Sequence, residues 1–149
     1  MSLPSPARWM FLLLVLGHPF VAGCGSIKEK LIPKASVLGV KVVSVTPEHV
    51  VVRVDVQTDD VDLMLGMLKV KYKLTLLDRS QEHRHDNLSK SDLVDIRDSG
   101  FAFLVKIPIA KGQEETKLGY KIEGEVVFRL IAKIAEAEFS HRGEFTLKP

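Results

Sequence analysis

From position 35 to position 147 the chain is written almost entirely in a period of two. "HVVVRVDVQ" (49–57) sets Val50, Val52, Val54 and Val56 on one side and Val51, Arg53, Asp55 and Gln57 on the other. "MLKVKYKLTL" (67–76) sets Leu68, Val70, Tyr72, Leu74 and Leu76 against Met67, Lys69, Lys71, Lys73 and Thr75. "FAFLVKIPI" (101–109) aligns Phe101, Phe103, Val105, Ile107 and Ile109. "YKIEGEVVFRL" (120–130) aligns Tyr120, Ile122, Gly124, Val126, Phe128 and Leu130, and "FSHRGEFTL" (139–147) aligns Phe139, His141, Gly143, Phe145 and Leu147. Side chains on a strand alternate between faces, so each stretch predicts a strand with one apolar and one polar side. "ASVLGVKVVSVT" (35–46) is apolar on both sides and also reads as extended.

Six strands, seven with a short one near His83–Leu88, predict an all-β fold: an immunoglobulin- or fibronectin-like antiparallel β-sandwich of about seven strands. The helical periods that join parallel strands are missing. "LIAKIAEAEF" (130–139), rich in Ala and Glu, is the one helical candidate, and the reading adopted is a hairpin between the last two long strands. A chain of 149 residues, 46% hydrophobic and 27% charged, has the composition of a single globular domain. Its formal charge of +2 comes from interspersed residues of both signs, which argues against a nucleic-acid partner.

The first 23 residues stand apart. Arg8 precedes the apolar run "WMFLLLVLG" (9–17), too short for a bilayer core of ~30 Å. Its length and flanks predict a secretory signal peptide over 1–23. The single cysteine, Cys24, follows Val21, Ala22 and Gly23, and these four residues resemble the lipobox of bacterial lipoproteins. That resemblance implies a thioether-linked lipid on Cys24, cleavage just before it and acylation of the new amine. A thioether also removes the oxidation liability of a lone thiol outside the cytosol, and several acyl chains together anchor stably where one is marginal. Gly25, in place of the Asp that favours inner-membrane retention, implies an outer-membrane protein facing the periplasm in a cell with two membranes. Residues 24–34, "CGSIKEKLIPK", read as a lipidated tether. Its ten residues beyond Cys24 reach ~33–36 Å at most.

Residues 35–149 resemble the late embryogenesis abundant (LEA) type 2 family, which includes the WHy domains. The residues carrying this are a basic-faced strand with central Tyr72, the Ile107-Pro108 pair, the series Tyr120, Ile122, Gly124 and Val126, and the closing Phe139, Gly143, Glu144 and Phe145. Where the family has an Asn-Pro-Asn turn, this chain has Thr58-Asp59-Asp60-Val61. The resemblance implies a small β-sandwich, and plant members are associated with desiccation and stress tolerance.

Chemistry-bearing clusters are sparse. "QEHRHD" (81–86) brings His83, His85 and Asp86 together; two histidines at i and i+2 on a strand share a side and could hold a metal, but the expectation is a solvated polar hairpin. His141 is expected as a half-buried core histidine. Asp59, Asp60 and Asp62 lack the ligand spacing and closing Glu of a calcium loop and read as a turn. No catalytic residue, metal ligand or cofactor is assigned. Lys69, Lys71 and Lys73 point one way from their strand; the expectation is a solvated face, with contact to anionic lipid headgroups as the sharper alternative. The function expected is that of a membrane-anchored, non-enzymatic lipoprotein in envelope or desiccation stress protection. The alternative is an accessory lipoprotein binding a partner protein in an envelope complex.

Overall fold

The computed structural model describes residues 33–59, 66–110, 117–130 and 133–147. These form β1 (Lys34–Val45), β2 (His49–Asp59), β3 (Met67–Leu76), β4 (Gln81–Leu88), β5 (Val94–Arg97), β6 (Gly100–Pro108), β7 (Lys117–Leu130) and β8 (Lys133–Thr146). A short 3-10 turn at Lys90–Asp92 separates β4 from β5. The strands divide into two antiparallel sheets, ordered β1-β2-β6-β5 and β4-β3-β7-β8. In immunoglobulin lettering these are an ABED sheet facing a CFG sheet extended by one strand beside C. The β-sandwich read from the alternation is therefore what the chain adopts, with eight strands among the described residues.

Alternation dictates which side faces the core. Val50, Val52, Val54 and Val56 of β2 are buried, as are Phe101, Phe103, Val105, Ile107 and Ile109 along and just beyond β6. Across the gap lie Val70, Tyr72, Leu74 and Leu76 of β3, Ile122, Val126 and Phe128 of β7, and Phe139 and Phe145 of β8. Phe103 joins the two layers: its ring stacks on Tyr72 at 4.7 Å between centroids and lies 6.5 Å from Phe139. An aromatic pair of this geometry adds ~0.5–1.5 kcal/mol beyond the area it buries.

The Ala- and Glu-rich stretch is a hairpin. β7 and β8 pair in continuous register from Lys117↔Thr146 to Leu130↔Lys133, so only residues 131–132 separate them. Met67, which the alternation puts on the lysine side of β3, is instead buried at 6% exposure. The cause is a bulge: Met67 pairs with Phe128 and Lys69 with Val127, leaving one extra residue on β3. A bulge shifts the inside/outside phase by one residue, so Met67 joins the core. β5 has no counterpart in the sequence reading. Only four residues long, with Asp95 at a positive φ of 57°, it offers too little alternation to register as a strand.

Candidate functional site

Cys24, Val21, Ala22 and Gly23 lie outside the described residues, as do Asp60 and Asp62. Asp59 closes β2. The other candidates that can be placed fall on the two sides of the β4-β3-β7-β8 sheet.

Lys69, Lys71 and Lys73 project outward from β3, between buried Val70, Tyr72 and Leu74. Register puts Lys71 opposite Glu125 and Lys73 opposite Glu123 on β7. Lys71 donates to the Glu125 carboxylate, and that hydrogen bond raises the Lys71 pKa. Lys73 Nζ lies 3.7 Å from Glu123, which also takes Lys121 at 2.6 Å. The hydrogen bond from Lys121, with the nearby Lys73 charge, lowers the Glu123 pKa. Two of the three lysines are thus matched by glutamates, and the row is one half of a cross-strand ion-pair ladder rather than a bare cationic stripe.

This outer face is concave. An open cavity of about 900 Å³ runs across it, lined by Lys71, Lys73, Arg84, Asp86, Glu123, Glu125, Glu138 and Ser140, together with Ala35 and Ser36 of β1. Arg84 Nε is 2.7 Å from Asp86 and exposed. The lining carries both signs, largely paired within itself, which suits a polar, hydrated surface better than a site selecting one ion.

The two histidines share a side, as their i, i+2 spacing requires, but it is the inner side at the edge of the sheet. His83 pairs with Leu74 and His85 with Tyr72. The His85 ring stacks on Tyr72 at 6.2 Å and its Nδ1 accepts the Asn87 amide at 3.3 Å. His83 is half-buried with Nε2 shielded from water, and burial lowers its pKa. Asp86 turns to the opposite face to meet Arg84, so it does not join the histidines. Among the described residues no group of three or more His, Cys, Asp or Glu is placed to hold a metal ion. His141 is half-buried on β8, 6.0 Å from the Tyr120 ring.

A second cluster, missed in the sequence, sits on the outer side of the other sheet. Arg53 of β2 donates to Asp55 at 2.8 Å and to Asp95 of β5 at 2.7 Å, and Arg97 reaches the same Asp95 at 2.6 Å. The hydrogen bonds from Arg97 and Arg53 pull the Asp95 pKa down to about 2. The signal was present only as charges far apart in the chain; pairing β5 with β6 and β6 with β2 brings them together.

The motif glycines have a packing role. A Cβ on Gly124 would press into the Lys71 carbonyl oxygen and stand 2.8 Å from Phe139 Cε2; one on Gly143 would stand 2.8 Å from Tyr120 Oη. Register pairs Gly124 with Phe139 and Tyr120 with Gly143, so each aromatic ring covers the glycine directly across the hairpin.

No protein-family model matches the chain, and no curated protein sequence does. Among solved structures, the solution structure of a protein titled as a candidate late embryogenesis abundant (LEA) protein is similar. The match has a TM-score of 0.57 over 83% of this chain and 76% of that one, at 12% identity. At that identity the likeness is one of fold.

Proposed function

We propose that this chain is a membrane-anchored, non-enzymatic lipoprotein whose LEA type 2-like sandwich serves in envelope or desiccation stress protection. The observation that carries the anchor is the placement of the only cysteine, Cys24, directly after Val21-Ala22-Gly23 and an apolar run too short to span a bilayer. The LEA-like fold supports the nature of the domain. Gly25 after Cys24 points to the periplasmic face of an outer membrane where the cell has one, and the partner there is lipid, through the acylated cysteine. No cofactor is required. Among the described residues, no helix is long and apolar enough to cross a membrane.

A second reading, an accessory lipoprotein in an envelope complex, draws on the sheet edge at β4. Among the described strands this eight-residue strand pairs with β3 alone, which leaves its other side for a partner strand.

Cys24→Ser tests the anchor. The variant should accumulate as an unprocessed precursor that carries no lipid, whereas normal maturation would refute it. Detergent extraction of the tagged wild type from its own membranes, with mass spectrometry, separates the two roles. One stoichiometric companion favours the complex; lipid alone, with protection of client enzymes through drying and rehydration, favours stress protection.

A further inference from the structure

We infer that the outer face of the β1-β2-β6 sheet is the surface that lies on the membrane, with an anionic lipid headgroup layer as its occupant. This rests on the anchored reading above, and it moves lipid contact away from the lysine row of β3. Lys71 and Lys73 are matched by Glu125 and Glu123, so that face offers anionic lipid little uncompensated charge.

The opposite side of the sandwich also holds a paired cluster, Arg53 with Asp55 and Asp95, but it adds exposed apolar side chains and further lysines. β1 carries two bulges, between Val37 and Gly39 and between Val42 and Ser44. The extra residues are Leu38 and Val43, which are 67% and 57% exposed, and Leu104 of β6 is 44% exposed. Register fixes Leu104 as outward, since it lies opposite Arg53, which projects away from buried Val52 and Val54. These three are exposed apolar side chains on one sheet: Val43 lies beside half-buried Val51, and Leu38 lies further along β1, beside the Gly39–Asp55 pair.

Lysines flank them. Lys41 pairs with Arg53 in the register and Lys106 with Val51, both are exposed, and neither forms an ion pair with another described residue. Apolar tips among unpaired lysines are the chemistry of an interfacial contact: the tips enter the headgroup layer while the ammonium groups stay at anionic lipid. Chain length agrees. β1 starts at Lys34, ten residues after Cys24, so the tether's ~33–36 Å reach can bring β1 down to the surface.

The test uses the protein purified from its own membranes and reconstituted into vesicles with about a quarter phosphatidylglycerol. Single cysteines at Val43→Cys, Leu104→Cys and, on the lysine-row side, Arg142→Cys carry nitroxide labels. Collision with membrane-dissolved oxygen is compared with collision with an aqueous nickel chelate. The inference expects labels at 43 and 104 to favour oxygen roughly twofold over the label at 142. In the Lys41→Glu/Lys106→Glu background that difference should vanish. It is overturned if the label at 142 favours oxygen instead, or if all three report water. A label at 43 hidden from both probes would mean that another protein covers the face, and also overturns it. The unmutated protein reports separately on the anchor. Nitroxide uptake at Cys24 means a free thiol and sinks the lipoprotein reading alone, after which the same labels on unanchored protein mixed with vesicles decide the face.

Discussion

Gly124 and Gly143 mark where single atoms decide the fold. Each sits in a strand, where glycine is disfavoured for its entropy, and each is covered by an aromatic ring from the partner strand. The two positions differ in what a methyl group would strike. At Gly124 the obstacle includes the Lys71 backbone carbonyl, which cannot swing aside without breaking the β3–β7 ladder. At Gly143 it is the hydroxyl end of Tyr120, which can yield. Gly124→Ala should therefore cost ~3 kcal/mol, at the upper end for overpacking, and lower Tm by more than ~10 °C. Gly143→Ala should cost ~1 kcal/mol. Thermal unfolding of both variants checks this; equal losses, or a larger loss at Gly143, would refute the packing account. The pattern of glycines and aromatics in β7 and β8 thus has a physical meaning: Gly124 with Phe139, and Gly143 with Tyr120, are two sides of one contact.

At the scale of elements, β5 has a sparse ladder, with only Val94↔Ala102 and Arg97↔Gly100 pairing it to β6, and an ion pair from Arg53 adds a tie to β2. Asp95 is gripped by Arg97 on its own strand and Arg53 on β2. Its carboxyl pKa falls from an ordinary 3.8 to about 2 on folding, chiefly through the hydrogen bond from Arg97 and then that from Arg53. A carboxyl depressed in this direction stabilises the fold above its unfolded pKa and loses that contribution as pH drops through the folded one. Asp95→Asn should accordingly lower Tm near neutrality and reduce the further fall in Tm between pH 4 and about 2. A wild-type slope in that window unchanged by the substitution would remove Asp95 from the account. The same element shows why some of the molecule was legible and some was not. β2, β6, β7 and β8 announce themselves because each buries a full alternating stripe, as Val50–Val56 does. β5 is too short to alternate, and the bulge that swings Met67 inward depends on the distant partner strand β7. The glutamates opposite Lys71 and Lys73 lie some fifty positions on in the chain, and only the β3–β7 register selects them.

The described residues form a sandwich whose sheets end in four edge strands, β1 and β5 on one sheet and β4 and β8 on the other. β1 and β8 come into contact and close one side. β5 is kept short, and β1 is broken by its two bulges, both of which discourage a second chain from adding to the sheet. β4 has eight residues and one bulge, between the partners of Val70 and Tyr72, so its protection falls mainly to charge. Arg84 and Asp86 are exposed there at 70% and 62% of their side chains, beside His85. Replacing both with a β-branched apolar residue, in Arg84→Val/Asp86→Val, keeps strand propensity and leaves the β4 edge flat and uncharged. The variant should associate at concentrations of about 10–100 µM, where transient edge exposure already drives aggregation in β proteins. Sedimentation velocity across that range would show species larger than the wild type under the same conditions. If the variant sediments as the wild type does, the charges on β4 serve something other than edge protection, and the partner-binding reading of that edge gains the explanation.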